Sequence, residues 1–171
     1  MSEVNMKIIN INGPINAGKT TISKMLASEI PNSLFIEVDD LLSDEEQEQL
    51  GLSMQQGWTE RTNRLDKIVR KEKELRRYQT IVFAYPIAEN TYKEWKSWED
   101  EGDKFINITL APKLDVCLQN RGNRVLEEWE KIRIKEMYRE NYHSPKFADL
   151  IIDNSVQTPE QTLQEVLSFL S

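Results

Sequence analysis

The chain has 171 residues, 39% of them hydrophobic and 30% charged, and a formal net charge of −7 at pH 7. That is apolar material for one buried core and little more, so residues 1–171 are expected to form a single domain. The acidic balance argues against broad nucleic-acid binding, no apolar run reaches the ~20 residues of a membrane span, and the single cysteine, Cys117, excludes an internal disulfide.

The amino-terminal stretch Met-Ser-Glu-Val-Asn-Met-Lys lacks an apolar secretory core, so a cytoplasmic protein is expected. From there, short β-like runs alternate with helical patterns. Lys7–Asn12 is Ile-rich and reads as a strand, and Ile22, Met25, Leu26 and Ile30 then recur at helical spacing until Pro31. Leu34–Val38 is a second strand. A long polar helix is expected over about 59–78, with Leu65, Ile68, Val69 and Leu75 on one side. Thr80–Ala84 is a third strand, and Tyr92, Trp95 and Trp98 mark a short helix whose aromatics read as packing. Phe105–Leu110 is a fourth strand, followed by a helix at Leu114–Gln119 that places Cys117 in the core. Val125–Tyr138 is amphipathic through Leu126, Trp129, Ile132 and Met137, and Leu150–Ile152 is a brief fifth strand. The last helix starts at Thr158 as N-cap, with Pro159 in first position and Gln161 completing a capping box. Strands alternating with helices imply a parallel sheet covered on both faces. Ligands of such sheets gather beyond the carboxyl ends of the strands.

The first such end carries Gly13-Pro-Ile-Asn-Ala-Gly18-Lys19-Thr20, which fits G-x-x-x-x-G-K-[ST] with a strand before it and a helix after it. Glycines let the backbone curl so that consecutive N–H groups point at an anion, reinforced by the helix N-terminus. Gly13, Asn16, Ala17, Gly18, Lys19, Thr20 and Thr21 are therefore the candidate nucleotide contacts. Lys19 would reach the β- and γ-phosphates, and the Thr20 hydroxyl would ligate Mg²⁺. The second strand ends in Glu37, Asp39 and Asp40. One of these carboxylates could hold a Mg²⁺-bound water, another could accept the proton of an attacking hydroxyl, and Asp40 could cap the next helix. No acid follows the third strand, which runs into Tyr85-Pro86, and Asp153 sits beyond the fifth strand. Glu37 or Asp39 is therefore the natural metal-side acid. Arg121 and Arg124 flank Gly122 at the expected base of a flexible segment, where a cation could neutralise charge on a transferred phosphoryl. Arg133 belongs equally to a solvated helix.

The phosphate loop, "VDDLL" after the second strand, "RGNR" at 121–124 and "FADLIIDNSVQTPEQT" near the end occur in the order seen in small P-loop kinases. Through them the chain resembles the shikimate kinase and chloramphenicol phosphotransferase type over nearly its whole length. The resemblance implies a P-loop NTPase α/β fold: a five-stranded parallel sheet of order 2-3-1-4-5, with helices on both faces, a substrate-binding region at about 41–78 and a mobile lid at about 120–145. By position it makes Asp39 the carboxylate that activates the acceptor hydroxyl, Glu37 a Mg²⁺-associated acid, and Arg121 and Arg124 lid arginines that contact ATP and the transferred phosphoryl. It places residues 154–158 beside the adenine. The third strand lacks the glycine-rich end of shikimate kinases, so shikimate is not the expected acceptor.

Within the substrate region Trp58 and Arg61 are candidate wall residues, and Tyr85 is placed beside them by topology. His143, the only histidine, lies too far from the strand ends to serve as a base. The reading is an ATP- and Mg²⁺-dependent phosphotransferase acting on a hydroxyl of a small molecule such as an antibiotic, sugar or cyclitol. Its partners would be ATP and that acceptor, with no nucleic acid or membrane, and its oligomeric state is open. Two alternatives remain. One is a nucleoside or nucleoside-monophosphate kinase, using Arg61, Arg64, Arg76 and Arg77 for an acceptor phosphate. The other is a nucleotide-binding regulatory module with little catalysis.

Overall fold

The computed structural model describes residues 5–100 and 102–171. Five parallel strands pair in the order β2-β3-β1-β4-β5: β1 is Lys7–Asn12, β2 Ser33–Ile36, β3 Thr80–Ala84, β4 Lys104–Leu110 and β5 Leu150–Ile152. The expected order is therefore the observed one. β1 lies at the centre, with Ile9 opposite Val82 on one side and Ile106 on the other, and five of its six residues are buried.

Alternation along the strands sends side chains to two faces and divides the core. One face gathers Ile9, Ile11, Val82, Ile108 and Leu110 with α1 (Lys19–Glu29), α5 (Leu114–Cys117), α6 (Glu128–Arg139) and α7 (Pro159–Leu170). The other gathers Met6, Ile8, Phe83 and Phe105 with α3 (Met54–Leu75) and α4 (Glu89–Trp95). There Trp95 and Trp98 stack at 5.0 Å and present their edges to Phe83 and Phe105, as expected of packing aromatics. Cys117 is fully buried, and burial pushes its thiol pKa up. Among the described residues no helix is long and apolar enough to cross a membrane.

Several element boundaries differ from the sequence expectation. The long helix starts at Met54 rather than near Thr59, because Ser53 and Gln56 form a reciprocal capping box; it ends at Leu75, where Arg76 turns left-handed at φ 49. Leu75 is consequently half exposed instead of packed. An unexpected short helix, α2 (Asp44–Gln49), precedes it, and its N-cap is Ser43, whose Oγ accepts from Glu46 N at 3.1 Å. Asp40 therefore caps nothing: it lies in a 3₁₀ turn, Val38–Leu41. On α6 the buried stripe is Glu130, Ile134 and Met137, continuing from Leu126, while Trp129 and Ile132 point outward. Steps of four and three residues keep 130, 134 and 137 in register on one face of the helix, which 129 and 132 leave. Thr158, Pro159 and Gln161 start α7 as expected.

Candidate active site

Strand β1 runs directly into the loop Gly13–Gly18. Gly13 has φ 142, and a Cβ there would sit 2.5 Å from the Leu110 carbonyl oxygen, so only glycine lets the loop turn this close to β4. Asn16 is left-handed at φ 67 and Gly18 at φ 94, which curls the loop into the N-terminus of α1. Asn16 also anchors the loop outward. Its Nδ2 donates to the carbonyls of Cys117 (3.0 Å) and Gln119 (2.8 Å) just past α5, and its own carbonyl accepts from Arg121 Nη1 at 2.8 Å. Ala17 is buried, and its carbonyl accepts from Asn154 Nδ2 at 3.0 Å.

Lys19 folds over this loop and donates to the Pro14 carbonyl at 2.6 Å. Its pKa is lowered to about 8, first by burial, then by Arg124; Cys117 and Asp39 oppose the shift. Lys19 thus feels a carboxylate from the end of β2 and an arginine from the turn after α5. Thr20, the second residue of α1, is exposed, and Thr21 follows it. A cavity of about 400 Å³ opens beside them, lined by Asn16, Lys19, Arg121, Arg124, Asn154 and Thr162 among others. Gln157 and Pro159 complete its far wall. Arg121 and Arg124 are bridged across a tight turn at Gly122, and Arg124 is ion-paired to buried Glu130. Residues 119–120 and 122–125 are exposed, whereas Leu126 and, on α6, Ile134 and Met137 are buried. Asp153 accepts from Ser155 and stabilises the turn after β5; those bonds lower its pKa.

The opposite wall begins at the end of β2. Glu37 faces Lys24 of α1 at 3.8 Å, and burial together with nearby Asp39 raises its carboxyl pKa. Among the described residues no group of three or more acidic, histidine or cysteine side chains could cage a metal ion. The donor set, one hydroxyl at Thr20 and one acid at Glu37, suits Mg²⁺ delivered with phosphates that supply most of its oxygens. Arg61 is 7% exposed; its Nε approaches the Asp39 carbonyl at 3.5 Å, and its Nη1 donates to Gln47 at 3.1 Å. Trp58, one turn earlier on α3, is half exposed. The Tyr85 pKa is pushed up to about 12 by burial and by Asp39, with Arg61 opposing and Tyr142 adding to the rise. His143 stacks on Tyr138 at 4.5 Å.

The alternation Ile-Asn-Ile-Asn in β1 explains how Tyr85 is held. The Asn10 carboxamide accepts from Tyr85 N (2.9 Å) and donates to Tyr85 O and Asn107 Oδ1 (both 3.0 Å), extending the ladder past the end of β3. Asn12 accepts from Ile87 N at 2.9 Å and donates to Thr109 at 3.2 Å. Sequence reasoning overlooked Asn10, Asn12 and Tyr142. Two asparagines at alternate positions of an apolar strand were the available signal, since both must find partners inside the core. Of the arginines expected to receive an acceptor phosphate, Arg77 pairs with Glu72 and Arg76 with Asp103. They lie past the C-terminus of α3, by the start of β1, where Asp103 also accepts from Met6 N. They do not join Arg61, because α3 separates them by its length.

The adenylylsulphate kinase family model matches residues 5–153. The chain is 23% identical to a shikimate kinase of Sulfurihydrogenibium sp. (strain YO3AOP1), over 95% of this chain and 97% of that protein. Its fold is similar to that of a gluconokinase from Sinorhizobium meliloti 1021 (TM-score 0.67, 15% identity, 98% and 93% of the two chains). It is also similar to the Deinococcus radiodurans tunicamycin resistance protein (TM-score 0.65, 20% identity, 98% and 96%). At these identities the solved structures speak for the fold.

Proposed function

The chain belongs to the adenylylsulphate kinase family, and from that premise we propose that it is a small-molecule kinase moving the γ-phosphoryl of ATP to a hydroxyl group. The observation that carries this reading is the cavity beside the phosphate loop, which gathers Lys19, Thr20, Arg121 and Arg124 around one space. Loop, lysine and arginines converge where a phosphoryl would pass. The loop N–H groups and the α1 N-terminus bind the phosphates. Lys19 keeps its proton once phosphates approach and spreads positive charge over the β- and γ-oxygens. Thr20 and Glu37 would hold Mg²⁺, which would further neutralise the phosphate oxygens. Asp39 orients the acceptor hydroxyl and receives its proton, and Arg121 and Arg124 offset charge on the transferred group. Residues 154–162 and Arg121 enclose the base. Trp58, Arg61 and Tyr85 border the acceptor, consistent with the tyrosine's response to Asp39 and Arg61.

The test is Asp39→Asn. ATP affinity by calorimetry should stay within about threefold of wild type, while acceptor-dependent ADP release falls about 10²–10⁴-fold, the range of general-base catalysis. Wild-type transfer by this variant would remove Asp39 from the chemistry. Release of ADP without any acceptor stimulation would favour a regulatory nucleotide module instead.

A further inference from the structure

Of the two arginines on the wall of the nucleotide cavity, Arg124 has a partner that phosphoryl transfer leaves unexplained. The stretch that carries it is pinned along its length. Asn120 Oδ1 accepts from Leu126 N at 2.9 Å, Arg124 N donates to the Arg121 carbonyl at 3.1 Å, and Leu126 is buried. α6 then starts with a capping box, in which the Glu127 and Glu130 side chains each accept from the other's backbone N–H. Glu130 divides its carboxylate between two tasks: Oε2 accepts from Glu127 N at 2.9 Å, and Oε1 accepts from Arg124 Nη2. Burial would raise its carboxyl pKa, but the Glu127 N–H and the Arg124 guanidinium outweigh it and hold the pKa below the ordinary value, so the group is charged at neutral pH. That charge needs a reason. Glu130 lies on the buried stripe of α6 with Ile134 and Met137, where an ionised group is costly. The cap requires an acceptor and not a charge, and a glutamine serves at this position of a capping box. Among the described residues the one cation paired with this carboxylate is Arg124.

Resting on the kinase reading above, we infer that Glu130 is a positioning residue, which ties Arg124 to the start of α6 so that the rest of its guanidinium is presented to the phosphates. Arg124 gives Glu130 one N–H, and among the described residues its side chain makes no other bond, so the remaining donors are left to the cavity it lines. Arg121 is held alike, by one Nη1–H on the Asn16 carbonyl. The Arg124 side chain is half exposed. Untethered on an exposed turn, it would surrender its rotamer freedom each time a nucleotide bound. A tether at one corner removes that cost and leaves the other N–H groups in place.

The experiment measures ATP and ADP binding to the full chain by calorimetry with Mg²⁺ present, for the wild type, Glu130→Gln, Arg124→Ala and the double variant. Glutamine keeps the cap and removes the ion pair. Glu130→Gln should weaken ATP about three- to tenfold and ADP less than about twofold. Arg124→Ala should weaken ATP selectively by at least as much. In the Arg124→Ala background Glu130→Gln should change ATP affinity by less than about twofold, because the interaction it served is already gone. Three results overturn the inference: a Glu130→Gln variant whose urea midpoint falls while its ATP-to-ADP affinity ratio stays at the wild-type value, an equal loss of ATP affinity in the Arg124→Ala background, or tighter ATP binding by Glu130→Gln, which would make the pair a competitor of the phosphates. In each of these a selective loss of ATP affinity in Arg124→Ala leaves the kinase reading standing. An unaltered ATP-to-ADP ratio in Arg124→Ala removes Arg124 from the transferred phosphoryl, and overturns that part of the kinase reading together with this inference.

Discussion

The donor side and the acceptor side of the cleft are built on different principles. The donor side is a single local device: six residues between β1 and α1 form the loop, and distant parts of the chain only brace it, through Asn16 to the end of α5 and through Asn154 to Ala17. The proposed acceptor side is assembled from separated pieces: the end of β2, α3 with α2 beside its first turns, and the loop after β3. Arg64 there is paired with Glu46 and Glu60, whereas among the described residues Lys19 has no ion pair and is bonded to the Pro14 carbonyl. A phosphate site must keep its cation available.

The sharpest way to break this contrast is at the donor cation. Lys19→Ala should lower acceptor-dependent turnover by about 10²–10³-fold, the scale for removing one preorganised stabilising group, with the fold intact by circular dichroism. Retained turnover would mean that the loop does not handle the transferred phosphate.

A second, smaller effect tests whether the two sides are mechanically separate. Asn10→Leu strips Tyr85 N and O and Asn107 of buried partners, each costing about 1–3 kcal/mol. The urea midpoint should fall, while ATP affinity measured below the transition should move by less than about threefold. A large loss of ATP affinity would show that the floor of the acceptor side also supports the loop.

The mildest prediction concerns protons. Lys19 has its pKa depressed to about 8, and phosphates favour its charged form. Below pH 8 the lysine is already protonated and ATP affinity should be level. Above pH 8 binding must bring a proton with it, so affinity should fall, by up to about tenfold per pH unit. Calorimetry at pH 8.5 in buffers of different ionisation enthalpy should show net proton uptake, and Lys19→Ala should abolish it. The stability sign follows from the same shift. The unfolded lysine binds more protons than the folded one between pH 8 and its usual value near 10.5, so this group's contribution to stability rises with pH across that window.

Much of this was legible before any coordinates. The loop motif, the strand runs and the capping residues of α7 are local patterns, and local patterns survive folding unchanged. Where periodicity was read against the wrong stripe, as with Trp129 and Ile132, the helix had two competing apolar faces, and only burial against the sheet chose between them. The shift in the start of α3 came from overlooking Ser53 and Gln56 as a capping box in a polar stretch. Tyr142 carried no local signal: it lies 57 positions from Tyr85, whose pKa it helps to raise.

By itself the sequence determined that a phosphate-binding loop joins a strand to a helix, that acids follow the second strand, and that β and α elements alternate into a parallel sheet. These depend on neighbours within a few residues. Tertiary structure alone decided how the arginines are paired. An arginine's partners are set by whichever helix packs beside it, and α2, which supplies Glu46 to Arg64, comes from a segment whose spacing says nothing of their meeting. The phosphate-binding loop is therefore written in one local stretch, and the pairing of the arginines in the packing of distant side chains.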